Sequence, residues 1–161
     1  MSADAPLTRE SFRRLHPIST PRPVVQLPDR VWSDEEWDRI RRGYRARGMD
    51  EKWNVFVEGD VLLMHRSWTG RGIYEVSFVP VAGRGWRIAS AVVEADGKRL
   101  RNMGDAYHCL MMELVISAIV LGEPAAELRA GLVELTAGAA GKSDLPEGVV
   151  EHSALGLRSG S

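Results

Sequence analysis

A set of reactive side chains lies between residues 52 and 74 of this 161-residue chain. At its centre, residues 65–70 read H-R-S-W-T-G. An imidazole beside hydroxyl and amide groups can serve as a general acid or base, which makes His65 the candidate catalytic residue. Guanidinium groups and the N–H groups of a glycine turn can hold a phosphate or carboxylate. The residues expected to bind a ligand are Lys52, Asn54, Arg66, Ser67, Thr69, Gly70, Arg71 and Tyr74.

The same residues also have a purely structural interpretation. His65 can be a buried histidine with its hydrogen bonds satisfied, and Arg66 can stack between Trp53 and Trp68. Gly70 and its neighbours then only turn the chain. Both interpretations stay open from the sequence.

Glu113 is a second candidate, because it lies within the apolar run of residues 110–121. A buried carboxylate needs a partner or a raised pKa. We expect either a catalytic carboxylate or a structural ion pair with Arg66 or Lys52.

Strand-like alternation predicts the sheet that positions the first set. Trp53, Val55 and Val57 alternate with the residues between them, and Gly59-Asp60 suits a two-residue hairpin turn. We predict a meander of four antiparallel strands over residues 53–58, 61–68, 73–79 and 86–94. In this register Asn54 lies opposite His65, Arg66 opposite Glu75, and Ser67 opposite Tyr74. His65 and Arg66 then lie on opposite faces.

Three helices are predicted around this sheet. Ser33 and Glu36 form a capping box, and the first helix is expected to run to about Gly48. The arginines in its later part suit the helix dipole, which is a simpler explanation than nucleic-acid binding. Asp105 is expected to cap a buried central helix that ends near Leu121. A final helix follows from Pro124 to about Ala137.

These elements define one α+β domain at residues 31–137. Five prolines within residues 1–30 predict an extended N-terminal arm, and the Gly- and Ser-rich residues 138–161 predict a flexible tail. The lone Cys109 excludes an internal disulfide and favours a reducing compartment. No leader or membrane-spanning pattern is visible, so we expect a cytoplasmic protein.

Charge is unevenly distributed along the chain. Its net charge is −1, but residues 39–101 hold 13 Lys or Arg against 7 Asp or Glu. This basic middle favours an anionic ligand. Metal-ligand spacing and nucleotide-loop motifs are not found, so no metal and no cofactor are expected.

The run K-W-x-x-F-x-E, then H-R-S-W-T-G and I-Y-x-V, resembles a motif of small uncharacterised bacterial proteins. It covers Lys52, Trp53, Phe56 or Val57, Glu58, His65 to Gly70, Ile73, Tyr74 and Val76. The resemblance implies a hairpin and brings no established activity.

Two functions remain in view. The first is a binding module for an anionic, phosphate-bearing small molecule, such as a nucleotide or an ADP-ribose derivative. The alternative is a non-enzymatic protein-interaction module, of immunity or accessory type, with a Trp-rich surface. Whether the chain is an enzyme stays open, and nucleic acid is not the expected partner.

Overall fold

A computed structural model of the chain describes residues 5–96, 103–140 and 155–156. In these residues six strands form one antiparallel sheet. The strands are β1 (Pro21–Pro23), β2 (Val31–Trp32), β3 (Trp53–Glu58), β4 (Val61–Arg66), β5 (Gly72–Val81) and β6 (Gly85–Glu94). Their order across the sheet is β1-β6-β5-β4-β3, and β2 pairs with the start of β6 while β1 pairs with its end. The helices are α1 (Asp34–Arg42), α2 (Gly104–Leu114), a π-helix (Val115–Val120) and α3 (Ala126–Ala140). The α+β class is confirmed, whereas the prediction of four strands was too few.

The two additional strands come from the Pro-rich arm. β1 and β2 are two to three residues long and both pair with β6. Such short pairings carry no periodic pattern, and Pro21 and Pro23 argue against a strand by their type. The sequence therefore indicated an extended arm without showing that it joins the sheet.

The first helix begins as predicted and ends earlier. Ser33 accepts from the N–H of Glu36, and the Glu36 carboxylate accepts from the N–H of Ser33. Gly43, at φ 79°, follows the last helical residue, so the predicted end at Gly48 was wrong. A Cβ on Gly43 would collide with the carbonyl oxygen of Val55. The chain thus leaves the helix beside β3, and Tyr44 pairs with Val55.

The hairpin of β3 and β4 has the predicted register, with Asn54 opposite His65. Gly59 opens its turn at φ 63°, as a first-position glycine of a type II′ turn requires.

The register of β5 against β4 differs from the prediction. β4 ends at Arg66, and a wider turn over residues 67–70 leads into β5. Glu75 therefore lies opposite Leu63 and Tyr74 opposite Met64, with a bulge between Met64 and His65. The predicted pairs of Arg66 with Glu75 and of Ser67 with Tyr74 were wrong. The shift is an odd number of residues, so it turns the β5 side chains to the other face.

One face of the sheet forms the main core beneath the helices. Its strand residues include Val55, Met64, Tyr74 and Val76, which pack with the apolar helix side chains. The other face carries the fully buried Phe56, which the N-terminal arm covers through Phe12 at 5.5 Å between ring centroids. Helices therefore cover one face of the sheet, and the arm covers the part of the other face around Phe56.

The central helix begins at Gly104, without a side-chain cap from Asp105. Asp105 accepts from the N–H of Val25 and from the Arg22 guanidinium, so it ties the arm to α2. The six buried residues that follow α2, Val115–Val120, take π-helical form.

The last helix extends to Ala140, beyond the predicted end near Ala137. Leu155 is fully buried in the core and Gly156 bridges to Glu51, so these two residues of the predicted flexible tail are docked on the fold. The rest of that tail after Ala140 lies outside the described residues. No described helix has the length and apolarity needed to cross a membrane.

Candidate functional site

His65, the candidate acid/base, is packed into the fold. Its side chain is 2% exposed, and its ring lies 5.6 Å from the ring of Phe56. Its Nδ1 donates to the carbonyl oxygen of Gly70 at 2.8 Å. Burial lowers the pKa of His65, although the Gly70 carbonyl opposes this shift. The buried neutral imidazole therefore stabilises the turn over residues 67–70 through its hydrogen bond to Gly70.

Arg66 stacks on Trp53, which is one of the two tryptophans predicted to flank it. Its guanidinium lies 4.7 Å from the ring centroid of Trp53. Trp68 is 60% exposed, and the Nζ of Lys52 lies 5.9 Å from its ring centroid. The same Nζ donates to the carbonyl oxygen of Met49. The two tryptophans are therefore in different environments, one buried and one open.

The turn that was expected to hold an anion already uses its N–H groups. The Gly70 N–H donates to the carbonyl oxygen of Arg66, and the Gly72 N–H donates to the carbonyl oxygen of His16. The Arg71 N–H donates to Oγ1 of Thr69. The Arg71 side chain is 3.5 Å from Asp96, with both groups largely exposed. This turn therefore serves to close the hairpin and to dock the arm.

Tyr74 is 1% exposed and lies on the core face, so a ligand cannot reach it from the surface. A 2.7 Å hydrogen bond joins its hydroxyl to Nδ1 of His108, which is also buried. Burial raises the pKa of Tyr74 well above its usual range. The pair links β5 to α2 inside the core.

Glu113 does not meet Arg66 or Lys52. It is half-buried on α2, and burial raises the pKa of its carboxyl group, while the charge of Arg30 acts in the opposite direction. Arg30 itself bonds Glu36 and Glu123. The basic residue that acts on the pKa of Glu113 is therefore Arg30, which is itself bonded to Glu36 and Glu123.

A cavity of about 490 Å³ opens between the arm and the loop that follows α1. We call it the arm cavity. Its lining comes from three separate segments: Ser11, Phe12, Arg13 and Arg14 of the arm, Arg45 and Ala46 of the loop, and Asn54, Ser67 and Trp68 of the hairpin. Asn54 and Ser67 are the two predicted ligand residues that reach it.

Backbone contacts fix the arm wall of this cavity. His16 N–H donates to Gly70 at 2.8 Å, and Gly72 N–H donates to His16 at 2.7 Å. Gly70 has φ 75°, and a Cβ on it would collide with the carbonyl oxygen of Arg14. Only glycine allows the arm to lie this close to the turn.

The opposite wall is held by side chains. Asn54 Oδ1 accepts from the N–H of Ala46 at 2.8 Å, and Ser67 Oγ donates to the carbonyl of Glu51 at 2.7 Å. The Arg45 guanidinium lies 5.6 Å from the Phe12 ring centroid and donates to the Ser11 carbonyl. The loop and the arm therefore meet across the cavity through Arg45.

The cavity is basic. Three of its nine lining residues are arginines and none is acidic. Four of the nine lining residues, Ser11, Phe12, Arg13 and Arg14, belong to the arm, where the sequence offered no site pattern. Their proximity to Trp68 depends on a contact between distant segments, and the only local signal was the pair of adjacent arginines.

Comparisons of the chain with protein-family models, with curated proteins and with solved structures found no match. Among the described residues, no group of three or more His, Cys, Asp or Glu side chains is arranged to hold a metal ion.

Proposed function

We propose that this chain binds a phosphate-bearing anion of the nucleotide type, such as a mononucleotide or an ADP-ribose derivative, in the arm cavity. The observation that supports this most is the convergence of Arg13, Arg14 and Arg45 on one hollow without an acidic neighbour in its lining. Guanidinium groups bind phosphate oxygens through paired hydrogen bonds. The volume also falls within the range of small-molecule sites.

One aromatic side chain of the cavity suits the base of such a ligand. Trp68 is 60% exposed, whereas the Phe12 ring already contacts the Phe56 ring and the Arg45 guanidinium. A planar base can stack on an indole ring while its phosphate lies on the arginines. Asn54 and Ser67 also line the cavity and add polar side chains to it.

The proposal is for binding, without an acid/base step. His65 is buried behind the turn and Glu113 lies on α2, and neither lines the arm cavity. Each therefore keeps a structural explanation in this proposal.

Thermal unfolding with AMP, ADP-ribose and adenosine tests the proposal. A ligand at 100 times its dissociation constant stabilises the folded state by about 2.7 kcal/mol. We expect a rise in the unfolding midpoint with AMP and ADP-ribose and a much smaller one with adenosine, which lacks phosphate. An equal response to adenosine, or no response to any of the three, would contradict the proposal.

A variant pair sharpens this test. Arg13→Ala with Arg14→Ala removes two arginines from the cavity and should weaken AMP binding at least 10-fold, since each charged hydrogen bond is worth about 1.5 kcal/mol or more. Arg84→Ala with Arg87→Ala removes the same charge from exposed positions that do not line the cavity, and should leave AMP binding unchanged.

The protein-interaction alternative has one observation in its favour. Met49 is 69% and Trp68 60% exposed, and Trp68 Nε1 donates to the Met49 carbonyl. The other four tryptophans are buried or half-buried, so the aromatic surface available to a partner is centred on Trp68. Under this alternative no nucleotide raises the unfolding midpoint, and Trp68→Ala leaves all the nucleotide measurements unaltered.

A further inference from the structure

The arm cavity continues into two neighbouring hollows. One, of about 350 Å³, is lined by Ala5, Leu7, Arg42, Gly43, Tyr44, Arg45 and Arg47, and it shares Arg45 with the arm cavity. The other, of about 340 Å³, is lined by Ala46, Gly48, Met49, Asn54, Ser67 and Trp68. It shares Ala46, Asn54, Ser67 and Trp68 with the arm cavity. The three hollows therefore adjoin one another through shared lining residues, and we call them together the groove.

The groove has a single sign of charge. Its lining contains five arginines and no acidic residue: Arg13, Arg14, Arg42, Arg45 and Arg47. None of the five forms an ion pair with a carboxylate in the part of the chain that the structure describes. By contrast, Arg9, Arg22, Arg30 and Arg71 are each paired with an acid elsewhere. The groove therefore combines five such arginines within one set of adjoining hollows.

Helix stabilisation does not account for all of these arginines. α1 ends at Arg42, so Arg45 and Arg47 lie beyond the helix and outside its last turn. The dipole effect is confined to the last turn. One phosphate group is satisfied by two or three guanidinium groups, which leaves further arginines along the groove for other phosphates.

We infer that the groove binds a single-stranded oligonucleotide, with successive phosphates on the five arginines and an unpaired base stacked on the exposed Trp68. The inference rests on the proposed function and extends it from one nucleotide to several. Grooves that bind single strands combine a basic track with exposed aromatic side chains, and stacking requires bases that are not paired. It also reverses the expectation from sequence, where the arginine run was attributed to the helix.

Fluorescence anisotropy with labelled octamers of uridylate and thymidylate tests the inference. We expect an octamer to bind at least 10-fold more tightly than AMP, measured by competition. Binding at five phosphates predicts a salt dependence of about −3.5 in log–log slope for a single strand, hence about a 100-fold loss of affinity between 50 and 200 mM NaCl. A weak salt dependence, or equal affinity for AMP and the octamers, overturns the extended groove and leaves the proposed nucleotide site standing.

Variants locate the two ends of the groove. Arg42→Ala with Arg47→Ala should weaken octamer binding at least 10-fold and leave AMP binding in the arm cavity unchanged. The matched control is again Arg84→Ala with Arg87→Ala, which should affect neither ligand. If the Arg42 and Arg47 pair behaves as the control does, the extension is wrong. If neither AMP nor the octamers bind the natural protein, both the extension and the proposed function fail.

One variant and two further ligands show whether binding depends on unpaired bases or on phosphate charge alone. Trp68→Ala should weaken octamer binding by about 5- to 150-fold, the range for one stacked base. Inorganic polyphosphate lacks bases and should bind more weakly than the octamer, as should a duplex of the same length. Equal binding of polyphosphate or of the duplex overturns the assignment to a single-stranded nucleic acid.

Discussion

His65 illustrates how the most reactive residue of a sequence can serve the fold alone. Its Nδ1–H bond to Gly70 holds the turn, and Gly70 in turn accepts from the arm at His16. Charged groups that act on it are Arg9, His16 and Glu75. A buried neutral imidazole in this position makes the stability of the turn depend on pH.

Acid should destabilise the protein through His65. Burial lowers the pKa of His65 in the folded chain, so the unfolded chain takes up this proton at a higher pH. The contribution is full above the unfolded pKa of about 6.5 and is lost as the pH falls through it toward the folded value. We expect the natural protein to lose stability faster than His65→Gln between pH 8 and 5, by up to about 1.4 kcal/mol per pH unit. Urea unfolding at each pH measures this, and parallel curves for the two proteins would show that His65 does not titrate in this way.

The sequence could locate reactive residues but not their roles. The capping box of Ser33 and Glu36 is local, and its residues alone predict it correctly. Asn54 and Ser67 line the arm cavity, whereas His65 and Tyr74 are buried and do not line it. Burial of a single side chain depends on which distant segment covers it, and one sequence does not show that.

Among the elements, the N-terminal arm has the largest effect on the candidate site. It supplies one wall of the arm cavity and two of its arginines. It is held by backbone bonds to the turn and by the carboxylate of Glu94, which accepts from the N–H groups of Ser19 and Thr20. Burial alone would raise the pKa of Glu94, but the N–H donors outweigh burial and lower it.

Gly70→Ala should detach the arm. An alanine at φ 75° costs about 1–2 kcal/mol, and its Cβ also collides with Arg14. Gly59→Ala is the matched control, because Gly59 has φ 63° and open space around it. We expect a larger loss of stability from Gly70→Ala, together with faster tryptic cleavage after Arg13 and Arg14 and weaker AMP binding. Equal stability losses with an uncleaved arm would contradict the arm's dependence on Gly70.

Arg30 joins the start of α1, the π-helix and the segment before α3. It donates to Glu36, Ser117 and Glu123, and its guanidinium lies 5.3 Å from the ring centroid of Trp32. We expect Arg30→Ala to reduce the free energy of unfolding by about 2–3 kcal/mol, since charged hydrogen bonds are lost at a half-buried site. Arg30→Lys should recover only part of this loss, because an ammonium group lacks the planar fork.

Chemical denaturation of both Arg30 variants provides the measurement. Arg84→Ala, at an exposed position, should remain within about 0.5 kcal/mol of the natural protein. A complete recovery by lysine would show that charge alone, rather than the three-way hydrogen bonding, stabilises this junction.

The register error at β5 shows where prediction of elements reaches its limit. Hydrophobic alternation located all four long strands, and the two-residue turn at Gly59 fixed one register correctly. The next turn is longer, and a bulge follows at Met64. A turn of variable length and a bulge each shift the pairing, and neither has a unique sequence signature.

For the whole molecule, the sheet has edges that are covered or blunted. β3 is one edge, and Tyr44 pairs with it while Gly156 bridges to Glu51 just before it. β1 is at the other edge, where Pro21 and Pro23 have no N–H to donate. Such edges disfavour pairing with strands of other molecules. Partners are therefore expected on the faces of the molecule, where the groove lies.

Leu155 should contribute to stability as a core residue. It is 0% exposed, and Leu→Ala at such sites costs about 2–5 kcal/mol. Leu135→Ala on α3 is the control, because that side chain is 39% exposed, and should cost no more than about 0.5 kcal/mol. Urea unfolding of the two variants checks this, and an equal small effect would mean that the segment around Leu155 contributes nothing to the core.

The contact between Ser19 and Glu94 joins residues that are 75 positions apart. Contacts between distant positions form slowly, because the intervening chain must first be closed into a loop. During synthesis the arm can bond Gly70 and cover Phe56 before β6 has been made, but Ser19 and Thr20 must wait for Glu94. We therefore expect the arm to dock in two steps, so that a chain halted before the second step has the arm wall of the cavity in place and the segment at Ser19 and Thr20 undocked.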